Sequence, residues 1–285
     1  MPSQPASTQS PLPKPAVVPA ASLDRGEHRS FLADVVIDHG PRDILNRMFL
    51  AADTQLRAAG VRLTFGSLEE LIAVNRENRA NWSPLLPLFD PELNDIDEKD
   101  AFILFARTPS GKVAATVGAR RYDLADGTLA DKIESLKLFY SDPTKSALEG
   151  EEIRVSSPVA RGTRGTAVFS GAAWSHPDWR GARLIDPMAP IGRGVSLTKW
   201  YPDLTFSFMV PELVKNGTAK RWRMNVDWEI TMINTPVKRG GTINAALSWT
   251  NPTFMEQHFV DVVASRPGRA DAQVDVGVVQ RTAEQ

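Results

Sequence analysis

The sequence predicts a mixed α/β fold, with a mostly central sheet flanked by helices. Three observations point to it. Apolar residues recur at helical spacing after Pro41, two strand-like runs at 101–123 are joined by a tight turn, and helix and strand signals alternate from there on.

The elements follow in chain order. Pro41 opens a helix in which Ile44, Leu45, Met48, Phe49, Ala52 and Leu56 share a face, and Gly60 ends it. Val61 to Phe65 alternates as a short strand. Ser67 and Glu70 have capping-box spacing, each side chain placed to satisfy the other's backbone N–H, which opens a helix to about Arg79. AFILFAR (101–107) and KVAATVGARRYD (112–123) read as strands, and Pro109-Ser110-Gly111 makes them a hairpin. A helical stretch is expected around Asp131 to Tyr140.

After the basic glycine turn RGTRGT (161–166), AVFSGAAW (167–174) is an apolar strand, followed by a helix-like segment and the strand LTFSFMV (204–210). Pro211 starts the next helix at a position where a missing N–H costs nothing, and Gly217 ends it. From 224 to 263 strand-like pieces such as WEITMI and TINAALSW are joined by Lys238-Arg239-Gly240-Gly241. Six prolines fall within the first 19 residues, so 1–28 is expected to be a disordered Pro/Ser/Ala-rich tail. Residues 265–285 form a polar C-terminal tail in which VDVGVV has the alternation of an edge strand, leaving 29–264 as a single domain.

Composition bounds the chemistry. The chain has 285 residues, 42% of them apolar, enough for a sizeable core. It has no cysteine, which excludes disulfides, thiol nucleophiles and thiolate metal sites. Its four histidines (28, 39, 176 and 258) show no metal-ligand spacing, so no metal is expected. A net charge of -1 argues against nucleic acid as the main partner, and no apolar run approaches membrane-span length. The N-terminus lacks the basic start and apolar stretch of a signal peptide, so the expected location is cytoplasmic.

Charge is uneven. Residues 161–223 carry ten basic against four acidic side chains, a net +6 that leaves -7 elsewhere. Within this basic middle a strand runs through a proline turn into Arg180-Gly181-Ala182-Arg183, read as the opening of a helix. A helix start exposes unpaired N–H groups beside the positive end of the dipole. Gly181 and Ala182 permit close backbone approach, and Arg180 and Arg183 suit phosphate, so a pyrophosphate is the ligand this turn best accommodates.

Trp174-Ser175-His176-Pro177-Asp178-Trp179-Arg180-Gly181-Ala182-Arg183-Leu184 resembles the acyl-CoA cradle of the GCN5-related N-acetyltransferases (GNAT). Over 61–224 the order of strands and helices is similar as well. The resemblance implies a GNAT-like mixed central sheet, with an added N-terminal helix and extra C-terminal strands. It implies acetyl-CoA or another acyl-CoA as co-substrate, a small-molecule or peptide amine as acceptor, and transfer of the acyl group between them. Trp174, Ser175, His176, Arg180, Gly181, Ala182, Arg183 and Leu184 would bind the coenzyme. Arg183 stands where the family most often has a second glycine, and either adds charge or obstructs the phosphates. Pro187 and Pro190 would break or delay an ordinary cradle helix.

The family's acid is commonly a tyrosine near a position held here by Trp222. Tyr201 is the candidate acid and Asp123, at the hairpin end, the candidate base. His176, beside Pro177, is expected to shape the turn rather than to catalyse. Two other classes stay open: a catalytically silent binding or regulatory protein on the same fold, and an RNA-contacting module using the basic middle.

Overall fold

The structure, a computed structural model, describes residues 29–264. The two tails, including the edge strand expected in VDVGVV, lie outside the described residues.

Helices Phe31–Asp34 (α1) and Arg42–Ala58 (α2) lead into strand Arg62–Gly66 (β1), helix Leu68–Glu77 (α3) and the hairpin Ala101–Arg107 (β2) with Val113–Asp123 (β3). Helices Leu129–Glu134 (α4) and Pro143–Ser146 (α5), strand Glu152–Val155 (β4) and helix Pro158–Gly162 (α6) follow. Strand Thr166–Ser175 (β5), helix Ile185–Trp200 (α7) and strand Leu204–Met209 (β6) come next. Helices Pro211–Lys215 (α8) and Thr218–Arg221 (α9), strands Asn225–Thr235 (β7) and Lys238–Thr250 (β8), and helix Pro252–Ala264 (α10) complete the order.

The eight strands of the described residues join one sheet in the order β1-β2-β3-β5-β6-β8-β7-β4. Every neighbouring pair is antiparallel except β5 and β6. This is the mixed central sheet flanked by helices that the sequence predicts. The strands after residue 224 lie in the sheet itself, because β8 pairs with β6 from Thr205↔Thr250 to Met209↔Ala246.

Alternation in β2 divides the core between the two faces. Ile103 and Phe105 join a cluster with Leu71, Phe139, Phe169 and Phe206, while Phe102 and Leu104 join one with Met48, Leu184, Ile191 and Phe259. Helices α2, α7 and α10 supply the second cluster. Ser67 caps α3 by accepting the Glu70 N–H at 3.1 Å. The Glu70 carboxylate is instead engaged by buried Arg107 at 2.7 Å, which ties α3 to β2. β4 is a short edge strand with Ile153 and Val155 buried and Glu152 and Arg154 paired on its outer side.

Three local expectations are corrected. The helix expected at 131–140 stops at Glu134, since Leu136 turns left-handed (φ 61°) and Leu138, Phe139 and Tyr140 fold into the core. The β7–β8 turn falls at Pro236-Val237, and Lys238 to Gly241 already belong to β8. Asn234, left-handed at φ 49°, sets that earlier turn by accepting the Gly240 N–H at 2.6 Å. The end of the region read as carrying strand-like pieces, Pro252–Ala264, is a helix that buries Met255, His258 and Phe259 on one face.

Helix α10 meets α7 through two polar groups. Arg193 is 3% exposed, and its Nη2 donates to His258 Nδ1 at 3.1 Å. A guanidinium has no acceptor, so Nδ1 must accept and the ring proton lies on Nε2. Burial first, then the Arg193 charge, hold the His258 imidazole down to about 3. A lowered histidine stabilises the fold fully above its unfolded value of 6.5 and loses that contribution as pH falls toward 3. Urea titrations should therefore show stability dropping by on the order of a few kcal/mol between neutral and acid pH, with a shallower slope in His258→Gln. Fully buried Phe206 packs edge-on against Phe169 at 5.5 Å, and Phe206→Ala should cost about 3–5 kcal/mol in the same measurement at pH 7.

Candidate functional site

The parallel pair holds for only three rungs: Ala167↔Leu204, Val168↔Thr205 and Phe169↔Phe206. Beyond them β5 follows β3, to Trp174↔Thr116 and Ser175↔Ala115, while β6 follows β8. A register shift in β3 between Thr116 and Gly118 and a left-handed Ala172 (φ 50°) bend β5 as it leaves. Thr116 Oγ1 donates to the Ala172 carbonyl at 2.6 Å and holds the bend in place. Ser207 Oγ donates to the Ser170 carbonyl at 2.7 Å, a last link across the opening gap.

A cavity of about 660 Å³ fills this gap. Trp82, Phe89, Phe169 and Phe208 make its interior apolar, and Arg180, Arg183, Asp186 and Arg221 stand among its walls. Trp174 stacks face to face on Trp82, centroids 4.9 Å apart and planes within 8°. Trp174 is 5% exposed, and its Nε1–H has no partner among the described residues.

The turn after β5 differs from the expectation. Pro177–Ala182 is a 3-10 turn capped by His176, whose Nδ1 accepts the Asp178 N–H at 3.3 Å. Arg183 then turns left-handed (φ 51°), and the α-helix begins only at Ile185. Had it opened at Arg180, Pro187 would lie inside it, without its N–H bond and with its ring against a carbonyl. Starting at Ile185 places Pro187 in the first turn, where no N–H bond is lost, although Pro190 remains inside the helix.

The proline also reduces the donors at the helix start. Pro187 has no N–H, and that of Asp186 donates to the Arg183 carbonyl at 3.1 Å. Only the Leu184 and Ile185 amides lack a backbone acceptor there among the described residues.

Charge is redistributed in the same way. Arg183 is spent on Asp186, at 2.6 Å, rather than left for a ligand. Arg180 reaches only the Asn81 carbonyl at 3.4 Å. Arg221 donates to the Asn216 carbonyl at 2.9 Å and to Thr218 Oγ1 at 2.8 Å. Arg180 and Arg221 thus face the cavity without a carboxylate partner among the described residues.

The sequence-derived residues sort clearly by position. Trp174, Ser175, Arg180 and Arg183 line the cavity, His176 caps the turn, and Gly181 and Ala182 are exposed with open space beside Gly181. Leu184 is 1% exposed and packs in the core, so its side chain anchors the helix start.

Tyr201 and Asp123 are not at the cavity. Tyr201 caps the far end of the 16-residue α7, roughly 24 Å along its axis from the start. Asp123 pairs with Thr166 at the beginning of β5, roughly 30 Å of strand from Ser175, and its carboxylate accepts the Ala125 N–H at 2.9 Å. The other tyrosines are structural: Tyr122 donates to the Leu138 carbonyl at 2.8 Å, Tyr140 bonds Glu151 at 2.9 Å, and burial raises both hydroxyls.

Trp82, Ser207, Thr218 and Arg221 also stand in the walls and were not singled out from the sequence. Only the dipeptide Asn216-Gly217 before the aromatic Trp222 gave a signal for that side. Among the described residues no group of His, Asp and Glu is arranged to hold a metal ion, and no helix is long and apolar enough to cross a membrane.

No family model matches the chain, and no curated protein matches it. Among solved structures it is similar to a histone acetyltransferase HPA2 and related acetyltransferase from Corynebacterium glutamicum, at 13% identity and TM-score 0.38, over 68% of this chain and 97% of that one. It is similar to Arabidopsis thaliana NAA60 in complex with acetyl-CoA, at 14% identity and TM-score 0.36, over 66% and 97%. An uncharacterized protein from Bacillus halodurans is 9% identical at TM-score 0.41, over 81% and 95%. In its own strand order the chain is a mixed sheet flanked by helices, with one short parallel pair parting around a cavity.

Proposed function

We propose that the chain is an acyl-CoA-dependent N-acyltransferase, moving an acetyl or other acyl group to the amine of a small molecule or peptide. The observation that carries this reading is the gap between β5 and β6. Past the third rung, the facing edges of two strands have no ladder partner in each other. The pantetheine arm is an extended chain with amide groups, suited to such edges as an added strand is suited to a sheet. Its pyrophosphate would lie toward Arg180, Gly181, Ala182 and Arg221, whose charges are not consumed by a carboxylate. Trp174, Ser175 and His176 would flank the arm, and a cytoplasmic location goes with this co-substrate.

In the reaction the amine nitrogen attacks the thioester carbonyl. The N–C bond forms, the C–S bond breaks, and the amine's proton leaves as the thiolate gains one. Among the described residues Asp186 is the one carboxylate lining the cavity, and Arg183 holds it. The rate gain then comes from positioning, worth much of the barrier when reacting atoms are held in contact.

Asp186 and Pro187 in the first turn of α7 favour a second reading, a silent binding protein, because they reduce what that turn offers a phosphate. Calorimetry and turnover separate the two. Acetyl-CoA should bind the purified chain, and Arg180→Ala should weaken it by about tenfold, the size of one charge-assisted hydrogen bond. Absence of binding at millimolar ligand defeats the acyltransferase. Binding without acyl transfer to any of a panel of amines, or CoA release, leaves the silent protein.

A further inference from the structure

A second cavity, of about 460 Å³, lies against the first, and Asp186, Arg221 and Trp222 line both. Its other walls include Gln55 on α2, Pro190 on α7 and His258 on α10. Helices α2 and α10 lie outside residues 61–224, so the walls they supply are not implied by the resemblance.

Its chemistry is set by His258. The residue is 8% exposed, and Nδ1 is occupied by Arg193. The ring proton is therefore on Nε2, and that N–H has no partner among the described residues, though the residue lines the cavity. Behind it, Arg193 is buried with no carboxylate in reach among the described residues, and Arg221 bonds only neutral oxygens. Asp186, the one acid in the wall among the described residues, is paired with Arg183. The cavity is thus electropositive, with a fixed neutral donor and an indole, Trp222, along one side. Such a lining suits a phosphorylated ligand with a flat aromatic group.

We infer that this cavity receives the phosphorylated adenosine end of acyl-CoA, with Arg221 and His258 Nε2–H as donors and Trp222 beside the base. The inference rests on the acyltransferase reading above. The coenzyme would run through the gap between β5 and β6, pass the start of α7, and end between α2 and α10.

Calorimetry on the full chain tests it with two ligands, acetyl-CoA and S-acetyl-4′-phosphopantetheine, which lacks the nucleotide. Two variants are compared with the unaltered chain: His258→Ala, and Gln55→Trp, which fills the cavity from an exposed position on α2. The unaltered chain should favour acetyl-CoA by at least about tenfold. Both variants should erase that preference while leaving the phosphopantetheine affinity unchanged. If His258→Ala does not fold, Gln55→Trp decides alone. Preference retained in the folded variants, both ligands weakened equally, or no preference in the unaltered chain overturns the inference and leaves acyl-CoA binding standing. Failure of the unaltered chain to bind either ligand overturns the acyltransferase reading and this inference with it.

Discussion

Everything at the site depends on how short the parallel pairing of β5 with β6 is. Three rungs are enough to join the two halves of the sheet, and Phe169 and Phe206 close the last of them. From there each strand follows its antiparallel neighbour, and the inherent twist of strands carries the two apart. A strand followed by a helix and a parallel strand must return across the sheet, so α7 begins where the gap opens. The cavity, its backbone edges and the adjoining helix start are therefore products of one topological choice. The side chains decide only what the opening will accept.

Those side chains divide the positive charge unequally. Of the three arginines on the walls, Arg183 is paired within its own turn, and Arg180 and Arg221 are held only by neutral oxygens. The helix start that carries phosphate so well elsewhere is here shortened by a proline and faced by a carboxylate. Anion attraction is consequently shifted from the helix dipole to side chains contributed by the turn and by α9. That shift moves the positive region sideways, toward Trp222 and the helices α2 and α10.

Much of the fold was legible because it rests on local chemistry. The Ser67 cap, the β2–β3 hairpin, Pro211 at a helix start and the periodic face of α2 all follow from residues near one another in the chain. The parting strands were legible only through resemblance, since no residue of AVFSGAAW announces where its pairing ends. Tyr201 shows how nearness in sequence differs from nearness in space. It stands close to the cradle in sequence, but the intervening helix carries it to the far end of the sheet. Asp123 is set apart from the cavity in the same way, because an antiparallel partner places the end of one strand beside the beginning of the next. Trp82, Asn216 and Arg221 reach the cavity from separate elements, and only tertiary packing brings them together. The apolar run of α10 was not separated from the strand-like pieces before it because, in a short run, a buried helix face and a buried strand look alike.

The edge strand β4 has a consequence for how the molecule behaves in company. Without it the far margin of the sheet would be β7, eleven residues of open ladder ready to recruit another chain. β4 covers only Ile230 to Ile233, and it presents Glu152 and Arg154 outward. Over the stretch it covers, the new border is four residues long and charged, with its two outward side chains paired to each other. A strand arriving from another molecule would have to strip those charges of water to gain very few hydrogen bonds. The insertion between β3 and β5 thus gives the protein a colloidal safeguard, independent of whatever chemistry its centre performs.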